Sequence, residues 1–401
     1  MKLNMRIIGL LVISLLLSVL ISGMAADTPA APPEEPAVKE TPAAPAAKER
    51  PVIQLAILLD TSNSMDGLID QAKTQLWNIA NTFVTAKRDG QVPRLQIALY
   101  EYGKSSLPAE GGYIRQILPL TTDLDKVSEQ LFALTTNGGS EHCGQVIGKA
   151  VQDLAWSETP GVLKTIFIAG NEPFTQGPVD YHVSVKAAIT KGITVNTIHC
   201  GNFQEGVNTG WKDGAILADG SYMAIDHNQK VVEIPAPQDQ EIAKLNEALN
   251  GTYIPFGVQG AAGKMNQVAQ DTNSAGISAS NAASRTATKA SANYSNASWD
   301  LVDAVQTNAV KLEEVKVEDL PEAMRKMTPE ERKAYIEKQA AERATIREQI
   351  GKLNVARSAF ITDELKKQAK PGEQTVESAV VEAIRTQAVK QGYVFEEATA
   401  Q

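Results

Sequence analysis

The chain has 401 residues, with 38 basic and 47 acidic side chains and a formal net charge of −9. This balance argues against nucleic acid or an anionic membrane surface as the main partner, because phosphate binding requires clustered Lys and Arg. Hydrophobic residues make up 43% of the chain, which is enough for a buried core. The length predicts two or three folded units.

The first 50 residues predict an export signal followed by a linker. Lys2 and Arg6 precede an apolar run that ends in small residues, the pattern of a cleavable signal peptide over residues 1–25. The run is shorter than the ~20 apolar residues that span a bilayer, so we expect no stable membrane span after cleavage. Residues 26–50 are almost entirely Ala, Pro, Glu, Lys and Thr, which predicts a disordered linker. We therefore expect an exported protein, either periplasmic or secreted to the cell surface.

From position 52 onward, apolar runs typical of buried strands alternate with amphipathic helices. The predicted strands begin at Val52, Leu95, Ile114, Lys164 and Ile193, and the predicted helices cover residues 67–86, 123–134, 144–156, 183–190 and 241–249. Strands that alternate with helices over this length predict a doubly wound, mostly parallel sheet with helices on both faces. We place this α/β domain at residues 51–258.

Residues 201–237 interrupt the alternation. Asp219-Gly220 lies between two short apolar runs, which predicts an inserted β-hairpin. Because the segment follows a parallel strand, we expect it to border the carboxyl edge of the sheet. Trp211 and Tyr222 would then either form an apolar contact surface or pack onto the domain.

The remainder of the chain is predicted to be helical. Residues 259–310 form an extension rich in Ala, Ser and Asn, and residues 311–401 form a coiled-coil-like C-terminal region. Its longest helix begins at Thr328-Pro329 with a capping residue and a proline at the first helical position. A narrow apolar stripe on this helix, interrupted by Arg357 and Glu364, predicts a second docking or self-association element; it contains Ile346, Ile350, Leu353 and Phe360.

Three oxygen-bearing side chains follow the first predicted strand. Asp60, Ser62 and Ser64 occupy alternate positions at the carboxyl edge of the sheet, where α/β proteins place ligand sites. One carboxylate and two hydroxyls can converge on a hard cation. Mg2+ prefers oxygen ligands and retains waters, so a few short side chains from several loops suffice.

This pattern resembles the DxSxS motif of von Willebrand factor type A (VWA) domains. Residues 135–141 and 166–173 fall where that family places its second and third metal-contacting loops, and residues 241–256 resemble its closing helix and strand. The resemblance covers residues 52–257. It implies one antiparallel edge strand and a metal-ion-dependent adhesion site (MIDAS). The ion there, Mg2+ or alternatively Mn2+ or Ca2+, is completed by an acidic group of a partner protein.

The family usually supplies Thr from the second loop and Asp from the third. Here Thr136 and Ser140 compete for the hydroxyl position, and Thr136 is favoured slightly. Asn171 occupies the position of the Asp, next to Glu172, which could supply a charge if the loop shifts. The predicted ligands are Asp60, Ser62, Ser64, Thr136 and Glu172, with Ser140 and Asn171 as alternates.

The two cysteines, Cys143 and Cys200, are expected at this same edge of the sheet. In an oxidising compartment a disulfide between them is one expectation, and a pair of buried free thiols is the other. Each cysteine follows a histidine, but the spacing does not match that of a zinc site.

Three functions are compatible with these features. The leading hypothesis is metal-dependent protein–protein binding in the cell envelope, for adhesion or scaffolding, to an envelope or extracellular protein that offers an acidic residue. The second is a metal-free scaffold that interacts through its C-terminal helices. The third is an unrecognised hydrolase. We do not expect an enzyme, because the sequence contains no nucleophile elbow, phosphate loop or dinucleotide fingerprint.

Overall fold

The structure is a computed structural model and is described here over residues 50–225, 233–368 and 376–395. These residues belong to one compact unit. The predicted signal peptide, and the predicted linker up to residue 49, lie outside the described residues.

The main sheet confirms the predicted fold class. The strands are β1 (Val52–Asp60), β2 (Ala86–Lys87), β3 (Arg94–Tyr102), β4 (Ile114–Thr121), β5 (Leu163–Gly170), β6 (Ile193–Cys200), β7 (Tyr222–Ile225) and β8 (Val394–Phe395). Within the described residues, six of them form a sheet in the order β4-β3-β1-β5-β6-β7. All neighbours are parallel except β4, which runs antiparallel to β3 at one edge. The short strands β2 and β8 pair separately.

The helices cover both faces of this sheet. They are α1 (Asp66–Thr82), α2 (Leu124–Ala133), α3 (Cys143–Asp153), α4 (Tyr181–Thr190), α5 (Phe203–Asn208), α6 (Trp211–Ile216), α7 (Asp239–Gly251), α8 (Gly260–Ile277), α9 (Ala279–Ala290), α10 (Leu301–Gln306), α11 (Glu322–Arg325), α12 (Pro329–Gln368) and α13 (Val376–Lys390). Side chains from α1, α2 and α13 form the core on one face. Those from α3, α4 and α6 form the core on the other.

The C-terminal helix α13 completes the sheet from the far end of the chain. Its Ile384 is fully buried in the core shared with α1 and the sheet. The Gln387 side chain donates to Asn196 Oδ1 of β6 at 2.7 Å. Beyond the helix, the Tyr393 hydroxyl donates to the carbonyl of Val52 at 3.0 Å. The last described residues are therefore part of the α/β domain.

The long helix α12 packs against its own chain. It contacts α7, α9 and α10. Positions seven residues apart on its inner face, Ile336, Arg343, Ile350 and Arg357, are all at most 5% exposed. Ile350 of the predicted coiled-coil stripe therefore lies in an intramolecular interface. The charged residue Arg357, which interrupts that stripe in sequence, pairs with Asp239 of α7 at 2.7 Å.

The predicted hairpin at residues 201–237 is wrong. Its described part folds into α5, α6 and β7, and β7 runs parallel to β6. Asp219, with φ of 54°, follows the end of α6, and the Gly220 N–H donates to the Ala215 carbonyl at 2.8 Å. The turn thus closes a helix C-terminus, because left-handed residues serve helix ends as well as hairpins. Trp211 is fully buried.

Among the described residues, none of the helices combines the length and apolar character needed to cross a bilayer.

Candidate functional site

Hydrogen bonds to Asp60, to β3 and within the loop hold the segment after β1 in place. The carboxylate of Asp60 is fully buried and accepts the Ser62 N–H at 2.8 Å through Oδ1. The Thr61 N–H donates to the Tyr102 carbonyl of β3 at 2.8 Å, and the Met65 N–H donates to the Ser62 carbonyl at 3.1 Å. The polar side chains of this loop are therefore positioned by the end of β1 and by its hydrogen bonds to β3.

Several oxygens at this edge are buried without a partner. Among the described residues, no hydrogen-bond donor contacts Asp60 Oδ2 or Asn171 Oδ1, and Ser62 Oγ has no partner either. Buried polar atoms are nearly always hydrogen-bonded, so each exception requires an explanation. A side chain at Gly170 would come within 3.2 Å of Asp60 Oδ2. The third loop, which continues into Asn171, therefore passes directly beside the Asp60 carboxylate.

Glu141 was not predicted as a site residue, yet it lies beside Asp60. A Cβ atom at Gly103 would lie 2.7 Å from Asp60 Oδ1 and 2.8 Å from Glu141 Cγ, so both side chains approach the same glycine. Glu141 is 4% exposed, and its N–H donates to Gln176 Oε1 at 2.6 Å. Glu141 could have been predicted from the sequence because it directly follows Gly138-Gly139-Ser140 in the second loop.

The electrostatics of this edge favour a bound cation. Burial raises the pKa of Asp60 to about 7, the Ser62 N–H opposes that rise, and the carboxylates of Glu141 and Glu172 add to it. Burial also raises the pKa of Glu141, and Glu172 contributes to that increase. Acidic groups that raise one another's pKa are relieved by a nearby positive charge.

The remaining predicted ligands lie in different surroundings. Ser64 is exposed in a short 3-10 turn, Asn63–Met65. The Thr136 hydroxyl donates to Asp66 Oδ1 at 2.5 Å, so it already has a partner. Ser140 is half-buried and directly precedes Glu141. Glu172 is half-buried, and its carbonyl accepts the Trp211 indole N–H at 2.9 Å.

The disulfide between Cys143 and Cys200 is not formed, and both residues are buried free thiols. Cys143 belongs to the core on the α3 face, whereas Cys200 belongs to the core on the α1 face. The two sulfurs therefore approach the same edge from opposite sides of the sheet. The Tyr102 hydroxyl lies 3.7 Å from Cys143 Sγ.

No family model matches the chain, and no curated protein matches it. Among solved structures, the VWA domain of SpRpn10 is 16% identical, with 45% of this chain and 100% of that chain covered and a TM-score of 0.33. An aerotolerance-related membrane protein from Bacteroides fragilis with multiple mutations to serines is 16% identical, with coverages of 43% and 92% and a TM-score of 0.30. Proximal thread matrix protein 1 from the mussel byssus is 12% identical, with coverages of 44% and 42% and a TM-score of 0.31.

The strand order, with its single antiparallel edge strand, supplies the fold assignment. The fold is VWA-like. In such a sheet the candidate site occupies the carboxyl edge of β1 and β5, where α/β proteins place ligands.

The donor set fits a hard cation, provided that hydroxyl and amide oxygens take part. Within the described ranges, no group of three or more His, Cys, Asp or Glu side chains is arranged to hold a metal ion. The unpartnered oxygens of Asp60, Ser62 and Asn171 instead offer one carboxylate, one hydroxyl and one amide. Mg2+ accepts such ligands together with water, whereas zinc prefers nitrogen and sulfur.

Proposed function

We propose that the protein binds a partner protein through a divalent cation at this edge of the sheet, as a MIDAS-type site in the cell envelope. The observation that carries the proposal is the group of buried oxygens without partners on Asp60, Ser62 and Asn171. A bound cation satisfies all three and offsets the negative charge of Glu141 nearby.

In this proposal Asp60 supplies the charge that holds the ion, and Ser62 and Ser64 supply hydroxyls from the same loop. Asn171 or Glu172 contributes from the third loop, and Ser140 or Thr136 contributes from the second. The bound ion supplies a Lewis-acidic position for a carboxylate of the partner. Few protein charges surround that position, which leaves the ion electrophilic toward such a group.

Calorimetry tests the cation. We expect heat on titrating the full chain with MgCl2, MnCl2 or CaCl2, and at least tenfold weaker binding for Asp60→Ala and Ser62→Ala. Asp70→Ala is the matched control. Asp70 lies one turn after Asp66, the first residue of α1, and among the described residues its carboxylate forms only an exposed pair with Lys73. Absence of heat with all three cations would reject the proposed site, as would unchanged binding by Asp60→Ala.

A pull-down from envelope extract tests the partner. We expect capture of a protein that is lost in EDTA, is restored by excess MgCl2 and is lost in Asp60→Ala. Capture that persists in EDTA would instead support the metal-free scaffold. Fractionation of cells that express the full chain tests export, for which we expect recovery outside the cytoplasm.

A further inference from the structure

A second cleft lies away from the candidate metal edge. It has a volume of about 480 Å3 and is formed by the end of α1 together with α9, α12, α13 and β8. A volume of ~300–1,000 Å3 is typical of small-molecule sites. Its apolar lining residues are Val355, Ile361 and Leu365 of α12 and Val381 of α13.

The cleft lining also presents amide and hydroxyl groups. Ser284, Asn354, Ser358 and Thr85 all line the cleft, and their side chains have no hydrogen-bond partner in the described part of the chain. Ser284 is only 3% exposed, so its hydroxyl is enclosed by protein and faces the cleft. Such groups are available to a polar ligand.

The cleft also contains two charges that have no ion pair within the described ranges. Its charged lining residues are Glu233, Arg357 and Arg385. Arg357 is paired with Asp239 at 2.7 Å. Glu233 and Arg385 have no ion pair among the described residues; Arg385 stacks over the Phe395 ring, 5.1 Å from its centroid.

These two charges lie at opposite ends of the cleft. Glu233 precedes Ile234, whose carbonyl accepts the Ser280 hydroxyl at 3.5 Å. The next residue of α9, Asn281, donates to the Thr74 carbonyl in the middle of α1. The end of the cleft that contains Glu233 therefore lies at the height of Thr74 along the axis of α1.

Arg385 lies beyond the other end of α1. Its stacking partner Phe395 pairs with Ala86 of β2, which follows α1 in the chain. The eight residue-to-residue steps from Thr74 to Thr82 rise about 12 Å along the helix axis at ~1.5 Å per step. A ligand that reaches both charges is therefore on the order of 10 Å long.

We propose that this cleft binds a short peptide with free termini. An extended peptide spans ~3.3–3.6 Å per residue, so about three residues fit between the two charges. Glu233 pairs with the terminal ammonium, and Arg385 pairs with the terminal carboxylate. Asn354 and the hydroxyls bond the peptide groups, and the apolar lining residues accept aliphatic side chains. A neutral saccharide would leave both charges without a counter-ion.

Equilibrium dialysis of the full chain against a synthetic tripeptide pool tests this proposal. The pool contains Ala, Leu, Ser and Gly in all positions and is also prepared N-acetylated, C-amidated and with both ends blocked. We expect the free pool to be retained with at least tenfold higher affinity than the doubly blocked pool. EDTA should have no effect, which separates this site from the candidate metal edge.

Two charge-removing variants identify the ends. Glu233→Gln should lose the discrimination against acetylation alone, and Arg385→Gln should lose the discrimination against amidation alone. Glu241→Gln on α7 and Lys390→Gln on α13 are controls that should bind like the wild type, and circular dichroism checks that all variants fold. Equal retention of free and blocked pools overturns the proposal, and so does retention that neither Glu233→Gln nor Arg385→Gln changes. Absence of any retention overturns it as well.

Discussion

Asp60 at the sheet edge and Asp271 of α8 are both largely buried, but their surroundings shift the two pKa values in opposite directions. Burial raises the pKa of Asp60 to about 7, and the nearest acidic groups increase it further. Burial also works to raise the pKa of Asp271, but Arg285 and Lys289 hold it well below its usual range. Lys289 lies 2.9 Å from the Asp271 carboxylate, and its own side chain is completely buried.

This contrast separates two uses of a buried charge. The helices after residue 258 are held in place by charges that are paired: Arg285 with Asp125 and Asp271, Arg343 with Asp300 and Asp303, and Arg357 with Asp239. At the sheet edge, the oxygens of Asp60, Ser62 and Asn171 have no such partners among the described residues. Buried charges that are paired stabilise the fold. A buried polar group without a partner destabilises it unless a ligand or ion binds there.

The largest expected effect is in the paired region. Arg343→Met leaves Asp300 buried without its counter-ion, and leaves Asp303 with only Arg347 at 3.8 Å, so we expect a loss of ~3–5 kcal/mol in the free energy of unfolding. Urea titration followed by circular dichroism measures it. Lys352→Met on the same helix removes only an exposed pair with Glu348, so its loss should stay below about 1 kcal/mol. Similar losses in the two variants would contradict the contrast.

A double-mutant cycle tests whether the pairing itself matters. Arg357→Leu and Asp239→Leu each break one buried pair, and each should destabilise the protein. In the double variant neither charge is left alone, so we expect it to be more stable than the sum of the single losses by ~2 kcal/mol. Urea unfolding of all four proteins gives the coupling energy. A coupling near zero would mean that the pair contributes only through packing.

Two asparagines provide a matched comparison with a smaller effect. Asn196 is fully buried and bonds Thr165, Gln387 and the Ser221 N–H, so Asn196→Ala should cost about 1–3 kcal/mol. Asn171 Oδ1 has no partner among the described residues, so Asn171→Ala should change stability by less than about 0.5 kcal/mol without metal. Thermal unfolding in EDTA compares them. An equal loss for both would show that Asn171 is structurally engaged.

At Asp60 the expected effect has the opposite sign, because the substitution removes a penalty. An unfolded Asp titrates near ~3.9, whereas the folded-state pKa of Asp60 is about 7. The wild type therefore loses stability from this group as pH rises between these values, and above pH 7 the whole penalty is present. Asp60→Asn should be more stable than the wild type by about 1 kcal/mol or more at pH 8 in EDTA, and nearly equal to it at pH 4.

Chemical denaturation at several pH values measures this difference. Asp70→Asn, an exposed position on α1, should follow the wild type throughout. A destabilised Asp60→Asn at pH 8 would contradict an unpaired carboxylate at the sheet edge.

Local patterns in the sequence were sufficient for the α/β part of the fold. The apolar run from Val52 fixes a central strand because a strand buried on both faces has few alternatives, and Asp60 marks its carboxyl end. The same local view failed at Asp219-Gly220, since a residue in the left-handed conformation, here Asp219, occurs at helix ends as well as in hairpins. It could not place α13, because the hydrogen bond that joins Gln387 of this helix to Asn196 of β6 spans 191 residues.

The candidate site was predictable only in part, for a related reason. Asp60, Ser62 and Ser64 are close in sequence, but the approach of Glu141 to Asp60 depends on the small volume of Gly103, which directly follows β3. Arg357 appeared as an interruption of an apolar stripe because its partner, Asp239, is 118 residues away. A charge that pairs with a residue far away in the chain produces no periodic pattern in the sequence, so sequence periodicity cannot predict the pair.

The central position of β1 has a mechanical consequence. The strand runs from Val52 at one edge of the sheet to Asp60 at the other, roughly 26 Å at ~3.3 Å per residue. It is held by β3 along its whole length and by β5 along most of it. A pull between a partner bound near Asp60 and an attachment before Val52 would act along this strand. Both ladders would then resist in shear, with all their hydrogen bonds sharing the force at once.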